Sequence, residues 1–233
     1  MQNSKIKTYW RDSETPYDLL YGIPNPTAEQ FISIIEEKLV YCDGTYIPII
    51  NQHFKDLEKR TVLEFGSGQG IMAKYLSPKF KKYICVDVIE EFLNLCRDYT
   101  KECKNVEYEL MQDYYFTDFS VKNNSVDIIK ATHVLCHCNY YEFIVYFEKF
   151  YKILKKGGII LFDIYNSDCL SWDDKVISYH KDLYKGSHIL EHIFNPISSM
   201  MIKRELTKMG FQEIFDSVHE KPGGWNLLGF KKI

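Results

Sequence analysis

The sequence predicts an α/β fold: a mainly parallel sheet of seven strands with helices on both faces and an antiparallel C-terminal hairpin. Strand-like apolar runs alternate with helical segments from residue 60 onward, which is the pattern of parallel β-α-β units. A glycine-rich turn follows the first apolar run. The last two runs have no helix between them, so we expect them to pair as an antiparallel hairpin at one edge of the sheet.

The elements of the main part of the chain can be placed in order. Apolar runs predict strands over residues 61–65, 83–87, 106–111, 125–132, 159–164, 211–218 and 225–231. Helical spacing of apolar residues, or a position between two strands, predicts helices over residues 71–76, 90–99, 140–154 and 197–209. The segment Lys155-Lys156-Gly157-Gly158 is expected to close the third of these helices, with lysines at its negative end.

The chain is expected to divide into a helical extension, or lid, over residues 1–59 and a main domain over residues 60–233. In the extension, Thr27 is a good N-cap for a helix over residues 28–40, and a second helix is predicted over residues 47–57. A turn is predicted between them at residues 42–44. In the main domain, a polar and aromatic insertion at about residues 165–196 interrupts the repeating pattern.

Composition excludes several classes of function. The net charge is −3, from 29 basic and 32 acidic residues, so a nucleic-acid partner is not expected. The seven cysteines are odd in number and irregularly spaced, which favours reduced thiols in the cytoplasm, and a zinc site at Cys136-His137-Cys138 lacks a second pair of ligands. No apolar run approaches the roughly 18 residues that a membrane span needs. We therefore expect neither a metal nor a membrane partner, and the oligomeric state stays open.

The glycine turn indicates which kind of nucleotide is bound. Gly66, Gly68 and Gly70 alternate with other residues, but Ile71 stands where a dinucleotide fingerprint has its third glycine, and no Lys-Ser/Thr pair follows. Pyrophosphate binding is therefore not supported. The acid at Glu64 would repel a pyrophosphate but suits a ligand that carries an ammonium group. Asp87, about twenty residues on at the end of the second strand, can accept both hydroxyls of a ribose.

At this point the chain resembles the class I S-adenosylmethionine-dependent methyltransferases, which have a Rossmann-like fold. The residues that carry the resemblance are Val62 to Gly70, Val86-Asp87, Gln112-Asp113-Tyr114, Ser125 to His137 and Leu154-Lys155-Lys156-Gly157-Gly158. The match covers about residues 60–165 and, more weakly, the C-terminal hairpin. It departs from the family at Lys156, which replaces a proline, and at Cys136, where close relatives often carry histidine.

The resemblance implies a set of residues that contact S-adenosylmethionine, and S-adenosylhomocysteine as the product. These are Glu64, Gly66, Ser67, Gly68, Gly70, Asp87, Val88, Gln112, Asp113, Tyr114 and Thr132, with Tyr9 and Trp10 from the extension. Asp87 would take the ribose and Asp113 the adenine amino group. Two structural alternatives stay open: Asp87 as a cap at the end of its strand, and Asp113 as a turn-forming residue.

The resemblance also implies a substrate cavity and an acid–base residue. His137 is the first candidate for the base and His133 the second, although either histidine can instead pack at the end of the fourth strand. Cavity residues are expected at Tyr17, Tyr21, Tyr165, Trp172 and Tyr179. Residues 130–133 lack the motif that positions amide-like nitrogens, so the expected acceptor is an oxygen of a small polar molecule. The alternatives are an N-methyltransferase of a small amine, a methyltransferase of tRNA or protein, and a non-enzymatic cofactor-binding subunit.

Overall fold

The computed structural model describes residues 28–111, 120–169, 195–217 and 225–233. Their seven strands form one sheet in the order β3-β2-β1-β4-β5-β7-β6. The strands are β1 (Thr61–Phe65), β2 (Lys82–Asp87), β3 (Val106–Leu110), β4 (Val126–Ala131), β5 (Leu154–Tyr165), β6 (Phe211–Asp216) and β7 (Trp225–Lys232). The pairs β1–β2, β2–β3 and β4–β5 are parallel, whereas β7 pairs antiparallel with both β5 and β6. The predicted mainly parallel sheet with a C-terminal hairpin is confirmed.

The described helices follow the predicted order along the chain. They are α1 (Ala28–Tyr41), α2 (Ile47–His53), α3 (Ile71–Leu76), α4 (Glu90–Tyr99), α5 (Tyr140–Ile153) and α6 (Ser199–Lys208). In the portions of the chain that the structure covers, no helix combines the length and the apolar character needed to cross a membrane. Contacts divide the chain into two compact units, residues 1–121 and 122–233.

The first unit contains the parallel strands β1, β2 and β3. Their register places Glu64 beside Cys85 and Asp87 beside Leu110. Helix α4 packs on β2 and β3 through a buried face that includes Phe92, Leu93 and Cys96. The end of β1 and the end of β2 therefore lie next to each other, with their acidic residues at neighbouring positions.

The second unit has an aromatic core between α5 and the sheet. Its members are Phe143, Phe147, Phe150, Phe162, Phe211 and Phe230, all fully or almost fully buried. The rings of Phe143 and Phe147 stack at 4.5 Å between centroids, and the ring of Phe147 meets that of Phe162 edge-on at 4.9 Å. Such pairs add to the hydrophobic stabilisation of the core. Much of the high phenylalanine content therefore serves packing.

Three predictions of local structure were wrong. Helix α2 ends at His53 rather than at residue 57, because Phe54 has an extended backbone. Residues 42–44 do not form a turn, because the π-helical segment Cys42–Tyr46 joins α1 to α2 without a break. Cys42 and Tyr46 lie on its buried side, whereas Gly44 faces open space, so Asp43-Gly44 occupies a solvent-exposed helical surface. Strand β5 begins at Leu154, directly after α5, rather than at residue 159. A register shift between Val126 and Ile128 of β4 accommodates the residues that were expected to close the helix.

Candidate functional site

The glycine turn of the first unit lies between β1 and α3. The N–H groups of Gly66 and Ser67 both donate to the carbonyl oxygen of Val86, at 2.8 and 3.0 Å, which ties the turn to β2. Gly66, Gly68 and Gly70 have φ angles of 70°, 52° and 80°. All three are in the left-handed region that side chains disfavour, so the backbone itself requires glycine at each alternate position.

Gly70 is also required by space. A Cβ atom on Gly70 would lie 2.5 Å from the Sγ atom of Cys96 on α4 and 3.2 Å from its Cα and Cβ atoms. The glycine therefore lets the start of α3 approach α4 closely. The turn is fixed on one side by β2 and on the other by α4.

Asp87 holds the glycine turn through its carboxylate. The N–H of Gly68 donates to Oδ2 at 2.9 Å, and the N–H of Ile89 donates to Oδ1 at 3.1 Å. The residue is only 7% exposed. Burial raises the pKa of the Asp87 carboxyl to about 6, opposed by these N–H donors and reinforced by the negative charge of Glu64. Asp87 therefore makes the contacts of a cap at the end of its strand, which was the alternative to a role in binding ribose.

Glu64 lies on β1, two residues before the turn, and is 3% exposed. The buried hydroxyl of Tyr83 on β2 donates to Oε2 of Glu64 at 3.0 Å. Burial and the neighbouring Glu64 raise the pKa of Tyr83 well above its ordinary value, so the phenol stays protonated and remains a donor. The unit thus buries two carboxylates, Glu64 and Asp87, whose charges repel. A cationic ligand would relieve this repulsion.

Two buried polar side chains of the turn lack a protein partner in the parts of the chain that the structure describes. They are Ser67 and Gln69, which are 8% and 7% exposed, and the atoms concerned are Ser67 Oγ and Gln69 Nε2. An unsatisfied buried polar group costs about 1–3 kcal/mol. Both atoms therefore fit a polar ligand in the turn. Gln69 was not among the predicted contacts, although its position between two glycines was the available signal.

Several predicted site residues lie outside the described residues, so their predictions stay as they were. These are Tyr9, Trp10, Tyr17, Tyr21, Gln112, Asp113, Tyr114, Trp172 and Tyr179. Val88, between Asp87 and Ile89, is half-buried, and its backbone N–H is among the groups that oppose the burial-driven rise in the pKa of Asp87. Thr132 is half-buried directly after β4.

The second unit contains both predicted catalytic histidines. His137 ends the 3-10 turn Leu135–His137 and is half-buried. Asn195 clamps this turn: its backbone N–H donates to the carbonyl oxygen of Cys136 at 2.7 Å, and its side-chain Nδ2 donates to that of His137 at 2.8 Å. Burial raises the pKa of the Cys136 thiol well above its ordinary value, so that thiol stays protonated.

His133 lies two residues after β4 and contacts a buried acid. Its backbone N–H donates to Oδ1 of Asp163 at 2.7 Å, and its ring nitrogen Nε2 lies 3.6 Å from Oδ2. The ring centroid lies 5.0 Å from that of Trp225, and Trp225 meets the ring of Tyr165 at 5.6 Å. The structure thus brings together the predicted residues His133 and Tyr165 with Asp163 and Trp225, which were not predicted.

Neither of these additions had a clear motif. An acid within the apolar run Ile159-Ile160-Leu161-Phe162-Asp163-Ile164 was the signal for Asp163. Trp225 begins the last strand, and only the pairing of Tyr165 with Trp225 across β5 and β7 places it beside β5. Within the described ranges, no group of three or more His, Cys, Asp or Glu side chains is arranged to hold a metal ion. All seven cysteines lie in those ranges, and none forms a disulfide.

Comparison with known proteins decides the family. Residues 41–214, well over half of the chain, match the family model described as a methyltransferase domain. The chain belongs to the class I S-adenosylmethionine-dependent methyltransferases. The family predicted from the glycine turn and the later motifs is confirmed, and this family uses S-adenosylmethionine as its methyl donor.

Three known methyltransferases are similar to this chain. Phosphoethanolamine N-methyltransferase 3 of Arabidopsis thaliana is 29% identical over 129 residues, which is 55% of this chain and 26% of the relative. The match thus spans about a quarter of the curated relative's length. The magnesium protoporphyrin IX methyltransferase of Synechocystis PCC 6803, solved with bound SAH, has a TM-score of 0.71, 14% identity and 98% coverage of both chains. Phosphoethanolamine N-methyltransferase 2 of Haemonchus contortus, in complex with S-adenosyl-L-methionine, has a TM-score of 0.63 and 15% identity, covering 81% of this chain and 52% of its own. At these identities the two structures show the shared fold alone.

Proposed function

We propose that this protein transfers a methyl group from S-adenosylmethionine to a small polar molecule, with oxygen as the acceptor atom. The observation that carries the proposal is the pair of buried carboxylates, Glu64 and Asp87, beside a turn that only glycine can form. S-adenosylmethionine carries a sulfonium and an ammonium group, so its positive charges suit this acidic site. When bound, it supplies a methyl group from its sulfonium, and the sulfur becomes a neutral thioether.

The residues of the first unit divide the ligand between them in this proposal. The left-handed turn lets the backbone approach the methionine part, and Glu64 faces its ammonium group. Asp87 accepts from the ribose hydroxyls while it keeps its bonds to Gly68 and Ile89. Ser67 Oγ and Gln69 Nε2 find partners on the ligand. The predicted contacts of Val88, Thr132, Gln112, Asp113 and Tyr114, and of Tyr9 and Trp10, remain part of the proposal.

The choice of an oxygen acceptor is supported by the histidines of the second unit and by a motif that the sequence lacks. An alcohol needs a base, and His133 or His137 can take its proton near neutral pH. Tyr17, Tyr21, Tyr165, Trp172 and Tyr179 are proposed to line the acceptor cavity. We place the protein in the cytoplasm, with no nucleic-acid or membrane partner, because its charge is near balance and its cysteines form no disulfide.

A second candidate acceptor is a small amine. The similarity to a phosphoethanolamine N-methyltransferase favours it, although that similarity covers only a quarter of the relative. An amine that is unprotonated at the pH of the assay needs no base, so the two candidates differ in their need for a histidine. Transfer to tRNA or protein, and a silent cofactor-binding role, are the remaining alternatives.

One experiment separates these candidates. The protein is incubated with S-adenosylmethionine labelled with ¹³C in its methyl group, together with phosphoethanolamine, with a protein-free metabolite extract, or with tRNA and protein. Mass spectrometry then locates the label. We expect S-adenosylhomocysteine and a labelled small molecule with the methyl group on oxygen. Label on nitrogen would contradict the oxygen assignment, label on added tRNA or protein alone would contradict the small-molecule assignment, and absence of S-adenosylmethionine binding would reject the enzyme.

A further inference from the structure

The backbone of His133 has an unusual conformation for a residue with a side chain. Its φ angle is 55°, and among the described residues other than glycine only Asn124 also has a positive φ. Glycine would adopt this conformation without strain, and asparagine tolerates it through local hydrogen bonds. Strained residues persist where the surroundings fix them, and they cluster at functional sites. The strained backbone therefore marks His133 and the residues that hold it as a candidate functional site.

Asp163 holds His133 at two points. One carboxylate oxygen accepts the backbone N–H at 2.7 Å, which is the length of a charge-assisted hydrogen bond. The other lies 3.6 Å from the ring nitrogen Nε2, so in this state the acid acts on the ring through its charge rather than through a short hydrogen bond. The Asp163 side chain is 5% exposed and that of His133 is 62% exposed. A buried anion thus supports an imidazole that solvent and small molecules can reach.

The His133 ring also has an aromatic neighbour. Trp225 lies against the His133 ring at 5.0 Å between centroids, with the planes tilted by 46°. Burial, and after it the charge of Asp163, raises the pKa of the Cys136 thiol, which stays protonated. A carboxylate facing Nε2 favours the tautomer with its proton on Nε2. Nδ1 is then the nitrogen that can accept a proton.

We propose that His133 is the general base of methyl transfer and that Asp163 is its positioning residue; this rests on the proposed function. The acceptor hydroxyl gives its proton to Nδ1 of His133 as its oxygen lone pair bonds to the methyl carbon. The carbon–sulfur bond breaks, and its electron pair stays on sulfur. Asp163 holds the backbone and the ring in place and stabilises the imidazolium that forms, without taking the proton itself. The substrate class is a small molecule whose acceptor hydroxyl needs deprotonation.

The first test measures the coupling of the two residues without any acceptor. The chain has seven histidines, and NMR follows the titration of their ring protons, with the His133 signal assigned by its loss in His133→Gln. In Asp163→Asn the amide oxygen can still accept the backbone N–H, so the charge is removed and the backbone contact is kept. We expect the His133 midpoint to fall by about one pH unit, the low end for an opposite charge at this distance because the ring is exposed. The His53 midpoint serves as control. An unchanged His133 midpoint would overturn the proposal.

The second test measures whether His133 is a reactive base. Diethyl pyrocarbonate acylates unprotonated imidazole, and peptide mass spectrometry gives the rate at each histidine. The reaction is run at a pH above the His133 midpoints of both the parent protein and Asp163→Asn. We expect His133 to react severalfold more slowly in Asp163→Asn than in the parent protein, because a less basic nitrogen is less nucleophilic. The rate at His53 should not change. Equal rates at His133 in the two proteins would overturn the base assignment. Both tests are independent of S-adenosylmethionine, whose failure to bind would reject the proposed function alone.

Discussion

Acidification should weaken the binding of S-adenosylmethionine through Asp87. The pKa of this carboxyl is raised to about 6 in the unliganded protein, chiefly by burial. Ribose hydroxyls that donate to the carboxylate would stabilise its charged form, so the pKa of Asp87 falls when the ligand binds. Affinity is then complete above the unliganded pKa and is lost as the pH falls through it. The sign follows because the protonated acid must give up its proton before the ribose can bind in this way.

The size of the effect follows from the unliganded pKa. With a value of about 6, the dissociation constant should rise about twofold at pH 6 and about tenfold at pH 5, relative to pH 7. The loss between pH 7 and pH 5 corresponds to about 1.4 kcal/mol of binding free energy. At pH 6 about half a proton should be released for each ligand bound. The ammonium group of the ligand, with a pKa of about 7.7–8.0, is protonated across the range from pH 5 to pH 7.

Isothermal titration calorimetry at several pH values measures this dependence. Repeating the titration at pH 6 in buffers with different ionisation enthalpies gives the number of protons released. In Asp87→Asn the affinity should be lower at every pH, and the dependence between pH 5 and pH 7 should disappear. Asp98→Asn, an exposed acid on α4 of the same unit, is the matched control and should behave as the parent protein. A parent protein whose affinity is constant from pH 7 to pH 5 would refute the assignment of Asp87 to the ribose.

Three further predictions concern the turn, the acid pair and the base. Gly70→Ala should lower the free energy of unfolding, measured in urea, by about 3 kcal/mol, because of the left-handed backbone and the close approach to Cys96. Cys96→Ala should restore part of this loss, and Gly44→Ala, whose new methyl group meets no atom within 4 Å, should cost nothing. Equal stabilities of Gly70→Ala and Gly44→Ala would contradict the packing argument. Tyr83→Phe should weaken S-adenosylmethionine binding about fivefold, because it removes a hydrogen bond to Glu64 worth about 1 kcal/mol. The affinity for 5′-methylthioadenosine, which lacks the amino-acid part, should not change, and Tyr108→Phe is the control. Equal losses of affinity for both ligands would show that Glu64 does not bind the ammonium group. His133→Gln should reduce turnover about 10²–10⁴-fold without changing S-adenosylmethionine affinity, whereas a larger loss in His137→Gln would return the base to His137.

The elements that the sequence predicts best are those whose pattern is local. Strand β1 and helices α3 and α4 have the predicted bounds, because an apolar run, a glycine turn and a helical stripe of Phe92, Leu95 and Cys96 follow one another without ambiguity. The acids Glu64 and Asp87 were predicted because each stands where a strand ends. The bounds of β5 and the π-helical link were missed, since a register shift and the burial of Cys42 and Tyr46 depend on contacts that a local pattern does not contain.

The same reason separates the predicted from the missed site residues. Tyr83 supports Glu64 because β2 lies beside β1, and Trp225 reaches Tyr165 because β7 pairs antiparallel with β5. Both contacts follow from strand register rather than from a motif. Asp163 is a single acid in an apolar run. Its hydrogen bond to His133 requires a left-handed backbone at His133, which the residue type does not predict.

Calorimetric titration of the parent protein with S-adenosylmethionine at pH 7.5 tests the central claim most directly. The carboxylates Glu64 and Asp87, with the unsatisfied atoms of Ser67 and Gln69, predict saturable binding of one ligand per chain and its strong loss in Asp87→Ala. Absence of binding up to about 1 mM ligand, the upper end of the usual range for enzyme substrates, would contradict the account. Equal affinity in Asp87→Ala would contradict the role given to the acid pair.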